Sequence, residues 1–184
     1  MRITIFNGEP DPTAAFGAYL SLIAERLKSR GHAVEKLDLR TLELKGCSGC
    51  FNCWLRTPGE CCKRDDSATI CRAVINSDLA LFASPIVMGF TTALLKRAAD
   101  QLIPLVHPYL AVQGGEVHHR PRYSRYPKLA LLLGAGPDTD AGDIEITTAM
   151  WSRLARNLTT SPLSFVAVAD RAAQEVADEL ALAA

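Results

Sequence analysis

The residues best suited to chemistry stand close together: Cys47-x-x-Cys50-x-x-Cys53 and then, after seven residues, Cys61 followed directly by Cys62. Three thiolates two residues apart can curl around one centre, and Pro58 and Gly59 supply a turn that brings a further thiolate back to close it. Cubane iron-sulfur clusters use such compact spacing, which ranks them first. Zinc more often takes two separated Cys-x-x-Cys knuckles and ranks second. A thioredoxin-type pair ranks third, because such a pair normally opens a helix and this triplet lies in a Gly-containing loop. The remaining reading is a loop whose cysteines pack under Phe51 and Trp54 as small hydrophobes. Cys71, the sixth, falls on the apolar stripe Ile70, Cys71, Val74 and Ile75 and reads as core.

Something must position that loop. Short apolar runs alternate with helix-period segments: strands at 2–6, 33–39, 79–83, 129–133 and 163–169, and helices from about 16 to 30, 66 to 75, 92 to 105, 144 to 158 and 172 onward. Strands apolar on both faces, each followed by a helix, require a parallel sheet covered on both sides through right-handed crossovers. The expected fold class is a doubly wound three-layer α/β/α domain with a five-stranded parallel sheet. It spans 1–184, with a cysteine-rich loop at 46–62 and a basic loop insertion at 107–127, either solvated or in contact with another subunit. In such sheets ligands bind beyond the carboxyl ends of the strands, which directs attention to the loops beginning at Asn7, Lys45, Ser84 and Gly134.

The first of these, NGEPDPTAAF, leads into a helix N-terminus, where N–H groups and the helix dipole favour a phosphate. Gly8 permits the turn and Thr13 can cap the helix or donate to an anion, whereas Glu9 and Asp11 oppose an anion unless they point to solvent. In SPIVMGF, Pro85 fixes the chain past the strand, Gly89 allows close backbone approach, and Met88 and Phe90 offer apolar surface to a flat ring. Gly134 and Gly136 can pass close to a planar ligand but complete no dinucleotide fingerprint. The three loops surround one crevice.

Composition narrows the function further. The 184 residues are 48% hydrophobic and 22% charged, with 20 basic and 20 acidic side chains. No net field draws the molecule to nucleic acid or anionic lipid, so neither is expected as a partner. No run of about 20 apolar residues suits a membrane span. The N-terminus carries no signal-peptide pattern, and the expected location is a reducing cytoplasm, where clustered cysteines act as ligands or redox thiols. Serine-hydrolase, zincin, Walker and EF-hand motifs are absent from the sequence.

GCSGCFNCW, TPGEC and the Asp pair, followed by SPIVMGFTTALLKRAAD, resemble the flavodoxin-like NAD(P)H-dependent FMN reductases, and in particular their iron-sulfur flavoprotein branch. The resemblance runs from Met1 to about Gly136. It implies FMN at the strand ends, a homodimer or homotetramer, NAD(P)H as electron donor, and a small-molecule or protein donor and acceptor. It implies phosphate contacts at Gly8, Glu9, Pro10 and Thr13. It places the ring against Ser84, Pro85, Ile86, Val87, Met88, Gly89 and Phe90, with Gly134 and Gly136 at its other edge. It also implies a 4Fe-4S cluster on Cys47, Cys50, Cys53 and one of Cys61 or Cys62, with Cys61 taken as the ligand. The expected function is an FMN-dependent oxidoreductase; hydride transfer to flavin needs no acid-base residue, and no catalytic side chain is assigned. The alternatives are a non-enzymatic flavodoxin-like electron carrier and a flavin-free cysteine metal or redox sensor.

Overall fold

The computed structural model describes residues 1–158 and 162–183. Five strands, β1 (Arg2–Asn7), β2 (Ala33–Asp38), β3 (Leu79–Val87), β7 (Lys128–Gly134) and β8 (Phe165–Val168), form a parallel sheet in the order β2-β1-β3-β7-β8. A two-residue strand, β4 (Phe90–Thr91), folds back antiparallel on β3. The hairpin of β5 (Val106–Gln113) and β6 (Glu116–Pro121) forms a separate two-stranded sheet.

Side-chain alternation divides the core into two layers. Ile3, Ile5, Leu79, Leu81, Ala130 and Leu132 meet α1 (Ala15–Ser29) and α6 (Ala173–Ala183) on one face. Phe6, Phe82, Leu131 and Leu133 face α3 (Ser67–Ile75), α4 (Ala93–Asp100) and α5 (Ala141–Asn157) on the other. There the register places Phe6 beside Phe82, their rings stacked at 4.9 Å, and the fully buried Trp151 of α5 packs on Phe82 at 4.9 Å. Burying an aromatic side chain of this kind contributes roughly 1.5–3 kcal/mol, so this cluster is the main anchor of the sheet. The expected five-stranded parallel sheet with helices on both faces is present.

Several boundaries differ for local reasons. β3 does not end at Ala83 but continues through Ser84 and Pro85 to Val87, because β4 supplies antiparallel partners for its last residues. Helix α5 begins three residues earlier than expected, where Asp140 and Asp143 form a reciprocal capping box. The fourth helix stops at Asp100, and Ile103–Leu105 forms a short 3-10 turn. The stretch 107–127, expected as a basic loop, folds largely as the β5–β6 hairpin, closed by Gly114 and Gly115 at φ 59° and 82°. Both are left-handed conformations that a tight primed turn requires. Among the described residues no helix is long and apolar enough to cross a membrane.

Candidate functional site

The carboxyl ends of β1, β3 and β7 lie side by side in the sheet, and one residue ties the first two together. Thr92, 7% exposed, donates its hydroxyl to the Gly8 carbonyl at 2.7 Å and caps α4 by accepting from the Leu95 amide at 3.4 Å. Its own amide donates to Ser84 Oγ at 2.9 Å. Gly8 is required by this closeness, since a Cβ there would stand 2.8 Å from Leu95 Cβ and 3.0 Å from the Ala83 carbonyl oxygen. Ser84 is wholly buried and belongs to this scaffold, with its hydroxyl donating to the Pro85 carbonyl at 2.7 Å.

A cleft of about 390 Å³ opens beside the scaffold, within the usual range for small-molecule sites. Pro85, Ile86, Gly134 and Gly136 line it together. Phe16 and Tyr19 of α1 also line it, and neither was singled out by sequence, since no motif marks a helix residue that reaches over a neighbouring strand end. Phe16 lies directly over Gly134: a Cβ on that glycine would come within 2.8 Å of its ring. Val87, Met88, Gly89 and Phe90 lie apart from this lining, on the β3–β4 hairpin. Met88, fully exposed at φ 52°, and Gly89 at φ 78° form its turn. Asp143 of α5 sits behind that turn, its Oδ1 2.8 Å from where a Gly89 Cβ would be.

In the first loop Glu9 does not point to solvent but is 6% exposed, while Pro10 and Thr13 are exposed. Thr13 neither caps α1 nor stands free: its hydroxyl donates to Asp11 Oδ1 at 2.7 Å, and Ala14 occupies the cap position.

The cysteine loop follows β2, on the strand-end side of the sheet, and contains the short helix α2 (Asn52–Leu55). Cys47, Cys50, Cys53, Cys61 and Cys62 line one recess with Gln101, Ile103 and Pro104. Cys50 and Cys62 approach to 4.0 Å between sulfurs, and the Asn52 side-chain amide donates to Cys62 Sγ at 3.3 Å. The Asn52 backbone amide, followed by the Ser48 and Cys62 side chains, draws the Cys50 thiol down from its ordinary value. Burial, then the charges of Cys47 and Cys61, push Cys53 up. Among the described residues no three His, Cys, Asp or Glu side chains converge closely enough to hold a single metal ion. Cys71 is core: it is 8% exposed, donates to the Gln101 carbonyl at 3.1 Å, and is pushed up to about 12 by burial. The loop is fastened by Asp65 and Asp66, whose carboxylates accept from the Lys45 and Glu43 amides at 2.9 and 2.8 Å. Asp66 stands at the cap position of α3 without a side-chain cap bond, and Asp65 accepts from the Ser67 amide at 3.0 Å.

The family model for NADPH-dependent FMN reductases matches residues 1–142. Two iron-sulfur flavoproteins of Archaeoglobus fulgidus are similar to the chain. One is 31% identical over 107 residues, 58% of this chain and 48% of its own length, and the other 29% over 101 residues, 55% and 48%. The chain thus spans about half the length of these relatives. Among solved structures, an FMN-dependent NADH-azoreductase of Bacillus anthracis in complex with FMN superposes at a TM-score of 0.69 with 13% identity, covering 100% of both chains. An NAD(P)H:quinone oxidoreductase of Methanothermobacter marburgensis gives 0.66 with 18% identity, covering 100% of this chain and 92% of that one. At such identities these likenesses establish the flavodoxin-like fold.

Proposed function

The chain belongs to the NADPH-dependent FMN reductase family, and from that premise we propose that it is an FMN-dependent oxidoreductase that passes electrons from NAD(P)H to a small-molecule or protein acceptor. The observation that carries the reading is the apolar cleft at the strand ends, where Pro85, Ile86, Gly134 and Gly136 meet. Its size and apolar walls fit a flavin ring. Held between these walls, a flavin would supply the hydride and electron chemistry that the side chains themselves lack. The chain's part is orientation: Pro85 and Ile86 form a wall, Gly134 leaves room for close approach, and Thr92 with Ser84 locks the loops in register.

The cysteine loop takes a 4Fe-4S cluster on Cys47, Cys50, Cys53 and Cys61 in this reading. Its support is a recess lined by these thiols. The ligands of a cubane each bind a different iron, so they need not converge as the ligands of one ion do. Free cysteines, six in all, agree with a reducing cytoplasm. Exposed Tyr109, Leu110, Val112 and Val117 on the hairpin support a homo-oligomer.

Titrating the purified chain with FMN and then, anaerobically, with NADPH tests the function. Saturable uptake followed by bleaching of the flavin's visible band is the expected result; no saturable uptake of any flavin would overturn it. Iron and sulfide reconstitution, followed by an iron count, tests the cluster: a Cys47→Ser variant that retains the full count refutes the ligand set.

A further inference from the structure

The first loop leads into the N-terminus of α1, and each amide N–H from Gly8 to Ala14 already has an acceptor within the chain. Between Gly8 and Ala14 five residues carry an amide N–H, because Pro10 and Pro12 have none. Gly8 donates to the Ala83 carbonyl at 2.8 Å and Ala14 to the Asp11 carbonyl at 3.3 Å. Glu9 donates to Asn7 Oδ1 at 3.0 Å, Asp11 to Glu9 Oε1 at 3.0 Å, and Thr13 to Asp11 Oδ1 at 2.8 Å. Two carboxylates of the chain therefore take two of these five donors, the Asp11 and Thr13 amides, and set negative charge inside the loop. The Thr13 hydroxyl and amide hold Asp11 below the usual carboxylate range, so it is charged at neutral pH. Arg40, the cation whose field reaches Asp11, is already paired with Asp38 at 3.4 Å.

The adjoining cleft repeats the pattern with different residues. Among the described residues that line it none is Lys or Arg, and its walls are Phe16, Tyr19, Pro85, Ile86 and the backbone of Gly134 to Gly136. One loop rejects an anion and the neighbouring cleft welcomes an apolar ring.

We infer that this protein recognises its flavin by the ring and not by the phosphate, so that uncharged riboflavin is as good a ligand as FMN, with Glu9 and Asp11 setting that specificity. The inference rests on the flavin function proposed above. Seating a phosphate dianion in the loop would break the Glu9–Asp11 and Asp11–Thr13 bonds and set like charges side by side, at a cost riboflavin avoids.

The test is a pair of binding titrations at fixed ionic strength, reading quenching of flavin fluorescence by the native chain. FMN and riboflavin are expected to bind within about threefold of each other, since a change of ~1.4 kcal/mol is tenfold. A cradle with two charge-assisted bonds would instead favour FMN by ~100-fold, at ~1.5 kcal/mol or more for each bond. Millimolar inorganic phosphate should leave both dissociation constants unchanged. Asp11→Ser, at an exposed position, and Glu9→Ser/Asp11→Ser free the Thr13 and Asp11 amides. They should tighten FMN about tenfold while leaving riboflavin as it was. A native preference for FMN near 100-fold, or competition by phosphate, overturns the inference and leaves the flavin function standing. Failure of both flavins to bind overturns the function itself.

Discussion

The Thr92 hydroxyl joins the loop after β1 to the end of β3 and the start of α4, and replacing it tests whether the site is held as described. Thr92→Val keeps the shape and removes three contacts: the bond to the Gly8 carbonyl, the cap on the Leu95 amide and the contact with Ser84 Oγ at 3.3 Å. Gly8 is buried, so its carbonyl loses its partner away from water, at about 1–3 kcal/mol. The lost cap adds about 1 kcal/mol. The sum, about 2–4 kcal/mol, is a large part of the roughly 5–15 kcal/mol that holds a domain together. In urea at ~2 kcal/mol per molar it lowers the unfolding midpoint by about 1–2 M with the slope unchanged. Thr92→Ser keeps the hydroxyl and should lose less than about 1 kcal/mol. A Thr92→Val protein within about 0.5 kcal/mol of the parent, or a Thr92→Ser protein equally weakened, would show that the hydroxyl is not the tie.

Gly134→Ala sets a methyl 2.8 Å from the Phe16 ring and 3.3 Å from Pro85 Cα. Phe16 can swing but the Pro85 backbone cannot. Stability should fall by about 1–3 kcal/mol and flavin affinity with it, and unchanged values in both denaturation and binding would refute the close approach. Glu116 accepts from Arg153 at 2.7 Å, with His118 and Arg156 also in contact, and this holds its carboxyl at about 2 against an ordinary 4.5. A depressed carboxylate stabilises above its unfolded value and loses that contribution as pH falls through the folded one. The melting-temperature advantage over Glu116→Gln should therefore be present at neutral pH, shrink between about 4.5 and about 2, and weaken in high salt. A gap independent of pH would refute the pairing.

The sheet was legible because its central strands β1, β3 and β7 are apolar on both faces and need helices on each side. Position of the cysteine loop followed from that order. What escaped the sequence was packing between distant elements. Ser84–Val87 looked like loop because Pro85 breaks a pattern, yet β4 pairs Ile86 with Thr91 and Val87 with Phe90. The β5–β6 strands lack the apolar alternation that marks a half-buried strand, since Tyr109, Leu110, Val112 and Val117 all stand exposed and Pro108 interrupts the first run; Gly114-Gly115 is the hairpin signal in the sequence. Glu9 was expected to turn outward if the loop were to take an anion. Its burial follows from the Asp11 amide, which needed an acceptor inside the loop.

Trp54 gives the cysteine loop an optical label of its own. Its indole donates to the Val106 carbonyl at 2.9 Å, its ring stacks on Phe51 at 5.3 Å, and its face tilts against His119 at 4.9 Å. The chain has one other tryptophan, Trp151, sealed in the core at 0% exposure. One emitter thus sits among the thiols and the hairpin root while the other is insulated from both. Emission from the unmodified chain, compared with that of Trp54→Phe, separates events in the loop from events in the core and follows filling or emptying of the thiol recess in real time.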